Sequence, residues 1–247
     1  VQGLVTLDFG NTNPHAGLFQ KAQGAWTLVT VAPLAELALS LAQLGMSAHD
    51  TSVVVCEVRA REDAIAKLQE LGFLVTRLKD YWRGTRFAGM PVNYAPTLGE
   101  DRLIEAFYAY KKERIPQLVI DAGTFVTMDV VTENGFEGGY IIPGLRAYFE
   151  TFGRGEQLRA VALDERLPST LPRETAGAMA GSYTAFAALA KKLVREHNLK
   201  KIVLTGGQRT LWEGFFRDGD HGSVVESHPH LIHWALHFWM TTQIEPL

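Results

Sequence analysis

The sequence predicts an α/β protein made of two similar lobes. Hydrophobic strand patterns alternate with helical ones, and LVTLDFGNT at 4–12 reappears as LVIDAGT at 118–124, each copy ending a strand in Asp-x-Gly with a hydroxyl residue just beyond. Such an echo implies two lobes, each offering an Asp-Gly turn at its strand ends, with a cleft between them. The 247 residues, 47% hydrophobic and 21% charged, can bury a core without metal or disulfide support, and they exclude a disordered or fibrous chain.

In chain order, a strand at 4–8, a Gly-Asn turn and strands near 16–19 and 26–31 read as an antiparallel meander. Pro33 suits a first helical turn, and Leu34, Leu37, Ala38, Leu41 and Leu44 follow at helical spacing. An apolar run at 52–55, an amphipathic helix through Ala64, Ile65, Leu68 and Leu71, and a short strand at 73–75 come next. Residues 79–96, rich in Gly, Pro, Arg and aromatics without a period, read as a connecting loop. A helix carrying Leu103, Ile104, Phe107 and Tyr108 closes the first half. The second half restarts with a strand at 118–121, a turn at Gly123, a strand at 125–131, an Asn134-Gly135 hairpin and a strand at 136–142. At 203–207 another strand runs into a Gly-Gly turn before a helix. The expected lobes are 1–115 and 116–247.

A net charge of -3 leaves no electrostatic footprint for nucleic acid or an anionic membrane, so neither partner is expected. No uninterrupted apolar stretch reaches the ~18 residues of a membrane span, and no leader pattern opens the chain, so an intracellular protein is expected. Cys56 could be a catalytic thiol, but its neighbours Val53 to Val55 favour an inert core cysteine. His228, His230, His233 and His237 could test as a metal site. The surrounding Leu231, Ile232, Trp234, Leu236, Phe238 and Trp239 favour a packing or subunit-contact helix. Tyr81, Trp82, Arg83 and Arg86 could stack on bases, although in an acidic chain a loop over the cleft or a dimer contact fits better.

An Asp-x-Gly turn exposes backbone N–H groups that can cradle phosphate oxygens, and Thr12 or Thr124 adds a hydroxyl donor. The carboxylates of Asp8 and Asp121 repel a phosphate unless a cation lies between, which points to metal-assisted phosphoryl chemistry. Either turn alone could be a plain hairpin connector; the recurrence favours the functional reading. Thr205, Gly206 and Gly207 would leave room for a flat base. In YAPTLGEDR, residues 94–102, Asp101 and Arg102 stand side by side at a helix start. A structural account is open there too: Thr97 and Glu100 match a capping box, Asp101 suits the positive helix end, and Arg102 could be solvated.

DFGNTN, LGEDR, and DAGTFVTMD followed by GGYIIPG, in that order, resemble the type III pantothenate kinases, a family of the actin-like superfamily of acetate and sugar kinases. The resemblance runs from residue 4 to about 207. It implies two ribonuclease-H-like (actin-like) lobes, each a mixed sheet flanked by helices, with an interlobe cleft. It also implies pantothenate as substrate, ATP with Mg2+, a monovalent cation (K+ or NH4+), a homodimer, and a cytoplasmic place in coenzyme A synthesis. By the resemblance, Asp8, Phe9, Gly10, Asn11, Thr12 and Asn13 form the first phosphate loop, with Asp8 acting on magnesium, and Gly123 and Thr124 form the second. Asp121 holds the monovalent cation. Asp101 accepts the proton, and Tyr94, Gly99, Glu100, Asp101 and Arg102 contact pantothenate. Thr175 closes over the substrate, and Gly206 and Gly207 serve the adenosine side. An unperturbed aspartate, with a pKa near ~3.9, is a weak base, so Asp101 is expected to orient the hydroxyl and take its proton late.

Pro14 and His15 depart from the family pattern, YAPTLGEDR is spaced slightly tighter than in many relatives, and 146–173 matches no family pattern. The rival functions are a non-catalytic accessory or regulatory protein that kept the nucleotide fold, and a superfamily kinase or phosphatase acting on another small molecule.

Overall fold

A computed structural model describes residues 2–242 except 11, 83, 156–157, 159–166, 169 and 218–221. The described residues fall into two compact units. The first runs to Lys112 and takes in Asn134–Phe136 and the C-terminal helix; the second holds Glu113–Glu133 and Glu137–Pro229.

In the first unit β1 (Gln2–Phe9) is buried along most of its length because both of its faces are covered. It pairs antiparallel with β2 (His15–Ala22), which pairs antiparallel with β3 (Ala25–Pro33). The β2–β3 turn is tight because Gln23 and Gly24 both take positive φ, 52° and 83°, the combination that matches strand twist in a two-residue hairpin. Then come α1 (Leu37–Gln43), β4 (Thr51–Glu57), α2 (Glu62–Glu70) and β5 (Leu74–Arg77). β4 adds parallel to β1 and β5 parallel to β4, giving the order β3-β2-β1-β4-β5. One face buries Val5, Leu7, Phe9, Ala16 and Leu18 against Leu37, Leu41, Ile65 and Leu68 of the two helices.

The segment read as a connecting loop contains a small ribbon, β6 (Arg86–Phe87) and β7 (Met90–Pro91), before α3 (Glu100–Lys112). Two of its aromatics pack within the first unit. Phe87 packs edge-on to Phe107 and against Trp239, and Tyr81 meets Trp239 edge-on at 5.1 Å between ring centroids.

The second unit repeats the plan with β8 (Gln117–Ala122), β9 (Phe125–Thr132), β10 (Gly135–Pro143), α4 (Leu145–Phe152), α5 (Thr175–Ser182), α6 (Thr184–Glu196), β11 (Lys201–Thr205), α7 (Arg209–Phe216) and β12 (Val224–Ser227). Its sheet order is β10-β9-β8-β11-β12, the same sequence of one meander and two parallel additions. Leu118, Ile120 and Ala122 of β8 centre a core closed by Met179, Tyr183, Trp212 and Phe216. β12 carries no alternation because it is a short, half-exposed edge, and the sequence pattern gives no sign of it.

The chain ends in α8 (Leu231–Thr242), which belongs to the first unit and lies on β1, β4 and α3. It is a packing helix, with Phe238 edge-on to Tyr108 and His237 stacked on Phe19. Among the described residues no group of three or more His, Cys, Asp or Glu is placed to hold a metal, and no helix is long and apolar enough to cross a membrane.

Ile120 lies fully buried at the middle of β8, so Ile120→Ala should cost roughly 2–5 kcal/mol, whereas exposed Leu39→Ala should cost little. Urea unfolding of the two variants, followed by circular dichroism, checks the contrast.

Candidate active site

Asp8 and Cys56 are register partners at the carboxyl ends of the parallel strands β1 and β4. A polar side chain emerges there because the apolar run of β1 stops one pleat short of the strand's end. The Asp8 side chain is 16% exposed. Four carboxylates, those of Asp8, Asp101, Glu100 and Glu105, act on the Cys56 thiol. Burial first, and their charge second, push that thiol well above its ordinary value, so Cys56 is inert.

The loop after Asp8 is fixed at both ends. Phe9 gives its carbonyl to the Arg59 N–H (3.1 Å), and Pro14 gives its carbonyl to the Leu34 N–H (3.0 Å). Phe9 is 0% exposed and its ring belongs to the core, so only its backbone is available to the phosphate loop expected at 8–13. Thr12 and Asn13 are exposed, and Asn11 lies outside the described residues.

α3 begins at Glu100 and points its first turn at the same strand ends. Glu100 Oε2 accepts the backbone N–H of Glu57 (2.8 Å), so the carboxylate expected in a capping box with Thr97 is used across the sheet instead. The carboxylate of Glu57 is itself held by two N–H groups of Arg77, at 2.6 and 2.7 Å. Asp101 Oδ1 accepts the Arg102 backbone N–H (2.8 Å). A side chain on Gly99 would collide with that same oxygen, so glycine is what lets the Asp101 carboxylate fold back over the helix start. Burial pushes the Asp101 carboxyl upward, which corrects the expectation of an unperturbed aspartate and makes it a stronger base. Arg102 is not solvated: it is 5% exposed, with Cζ 5.0 Å from the Tyr94 ring centroid and 5.7 Å from that of Phe136. The first unit therefore gathers Asp8, Glu100 and Asp101, and sets Tyr94 beside Arg102.

In the second unit Asp121 occupies the position that Asp8 holds in the first, with Thr205 as its parallel partner on β11. Gly206 follows at φ 84°, and a Cβ there would meet Asp121 Oδ1 and the Ala122 carbonyl oxygen. Glycine is therefore what lets the turn pass this close to Asp121. Gly123 uses its N–H to close its own turn on Phe125 O (3.1 Å), and Gly144 donates to Thr124 O (2.9 Å). Gly207 faces open space. Gln208, absent from the sequence-based set, donates its N–H to Ala122 O (2.8 Å) and accepts the Leu145 N–H on Oε1 (3.1 Å), tying the Gly-Gly turn to the start of α4. Thr175 is the exposed first residue of α5, capped by Glu174, whose Oε2 accepts the Ala176 N–H (2.8 Å).

Comparison with known proteins gives the family. The family model described as "Type III pantothenate kinase" matches residues 4–196. The type III pantothenate kinase of Thermomicrobium roseum is 30% identical over 234 residues, 84% of this chain and 87% of that protein. That of Syntrophobacter fumaroxidans is 29% identical over 84% of this chain and 88% of its own. Among solved structures, a conserved candidate Baf family transcriptional activator from Campylobacter jejuni aligns over 96% of this chain and 97% of its own, with a TM-score of 0.63 and 17% identity. A candidate 2-dehydro-3-deoxygalactonokinase from Sinorhizobium meliloti aligns over the whole of both chains with a TM-score of 0.59 and 14% identity. At these identities the structural likeness carries the two-lobed fold alone.

Burial, reinforced by the charges of Glu57 and Asp101, pushes Glu100 up to about 7 from its ordinary 4.5. Between those values the folded chain holds a proton that the unfolded chain has lost, so stability falls as pH rises from 4.5 through 7. Glu100→Gln keeps an oxygen for the Glu57 N–H and should flatten that slope, so the variant gains on the native chain above pH 7. Urea midpoints at pH 5 and pH 8 measure it; equal slopes would reject the assignment.

Proposed function

The chain belongs to the type III pantothenate kinase family, and from that premise we propose how its residues transfer the γ-phosphoryl group of ATP to the 4′-hydroxyl of pantothenate, the first step of coenzyme A synthesis. The observation that carries the reading is the buried carboxylate of Asp101, folded over the start of α3 among Glu100, Asp8 and the aromatic-held Arg102. Phosphoryl transfer to an alcohol runs through a loose transition state, so positioning and charge neutralisation provide most of the acceleration. Asp101 orients the hydroxyl and takes its proton as the bond to phosphorus forms, and its raised affinity for protons suits that task near neutral pH. Tyr94, Gly99, Glu100 and Arg102 hold pantothenate, and Thr175 closes on it.

Asp8 is a hard oxygen donor, which fits magnesium, an ion that keeps its waters and shares phosphate oxygens. Asp121, a hard carboxylate donor presented at the end of β8, would hold potassium or ammonium. When bound, the two cations would neutralise charge developing on the phosphates. Gly10 to Asn13 and Gly123 with Thr124 cradle the phosphates, and Gly206 and Gly207 give the adenosine its room. The homodimer implied by the resemblance would have an exposed apolar stretch to use, Phe125 with Tyr140 and Ile141 of the edge strand β10.

Purified chain should release ADP only when pantothenate is present, with potassium or ammonium supporting turnover and sodium not. ADP release indifferent to pantothenate would favour another acceptor, and none at all a regulatory role. Asp101→Asn should lower kcat by about 10²–10⁴ while ATP binding holds. Gly206→Ala, which forces a methyl onto Asp121 Oδ1, should raise the potassium needed for half-maximal rate.

A further inference from the structure

A guanidinium buried to 5% exposure needs flanks that do not compete for its N–H donors, and at Arg102 two aromatic rings provide them. Its Cζ lies over the Tyr94 ring at 5.0 Å and over the Phe136 ring at 5.7 Å from the centroids, both within the ~6 Å reach of a cation–π contact. The two rings stand at 77° to each other with centroids 5.6 Å apart, so the guanidinium sits in a corner and not on a single face. Tyr94 comes from the same stretch of chain as Arg102. Phe136 does not, and it falls between the DAGTFVTMD and GGYIIPG motifs, outside both.

Phe136 is brought to that corner by backbone. Asn134–Phe136 belong to the first unit, although the chain on either side belongs to the second. Phe136 forms a parallel bridge with Val92, and its carbonyl accepts the Asn93 N–H at 2.9 Å, one residue before Tyr94. Gly135 takes φ 112°, and a Cβ on it would collide with the Pro91 carbonyl oxygen, so glycine is what lets the hairpin close on residues 91–93. The Phe136 ring is 0% exposed and acts only through the groups it touches.

We propose that Phe136 is a positioning residue for substrate recognition, holding the Arg102 guanidinium together with Tyr94 so that its N–H groups meet the oxygens of pantothenate in one orientation; this deepens the site reading above and rests on it. An arginine side chain has many rotamers, and an unheld guanidinium gives them up only when substrate arrives. In the corner that ordering precedes binding, so affinity for pantothenate depends on the rings. Asp101 is fixed separately, by its bond to the Arg102 backbone N–H, so turnover does not.

Fluorine withdraws charge from a ring face with little change in size, so 4-fluoro-, 3,5-difluoro- and 3,4,5-trifluorophenylalanine at position 136 weaken the contact in steps. In ADP-release kinetics the pantothenate KM should climb along the series, reaching roughly two- to thirtyfold at the trifluoro ring, while kcat and the ATP KM hold. The trifluoro ring placed instead at Phe149, in the core of the second unit, should leave the pantothenate KM where it was. Relaxation of the Arg102 15Nε–H, which needs no turnover, should report a rigid group in the native chain and a mobile one in the trifluoro chain. A pantothenate KM flat across the series, a loss confined to kcat, or equal Arg102 mobility in the two chains overturns the proposal. Absent pantothenate-dependent turnover in the native chain removes the kinase reading and the proposal with it, whereas a flat series in an active chain removes the proposal alone.

Discussion

The constraint on which both units depend is the cost of holding a carboxylate at the end of a central strand that is apolar on both faces. β1 and β8 lie in the middle of their sheets and tolerate no charge along most of their length, and each releases one aspartate at its carboxyl end. Asp8 and Asp121 are therefore presented by the stiffest part of each sheet. Parallel neighbours, Cys56 on β4 and Thr205 on β11, fix the depth at which they emerge. Such a mounting suits a phosphoryl-transfer site, where geometry matters more than basicity.

Around that mounting, burial sets the carboxylates of the first turn of α3 apart. Arg77 grips the Glu57 carboxylate with two N–H groups, and the Glu57 backbone N–H is donated to Glu100. Glu100 and Asp101 are held closer to the protonated state by burial.

The sequence made the duplication visible because Asp-x-Gly after a hydrophobic strand is a local pattern, and the identical strand order of the two sheets is its three-dimensional counterpart. Asp8 and Asp121 stood out for the same reason, whereas Asp101 was singled out by the family resemblance. The Arg102 setting was not: its guanidinium lies on Phe136, 34 residues further along, and nothing local separates that from a solvated arginine. Phe9 reads as part of a loop motif, but the two-residue period of β1 turns its ring inward. The contacts of His233 with Thr6 and His15 join residues more than 200 positions apart, so no local pattern announces them.

α8 also has a temporal meaning. It is translated after the second unit, yet it covers β1 of the first. On the ribosome the later-encoded unit can complete its own sheet while the earlier one still waits with an uncovered face, so maturation runs against the order of synthesis.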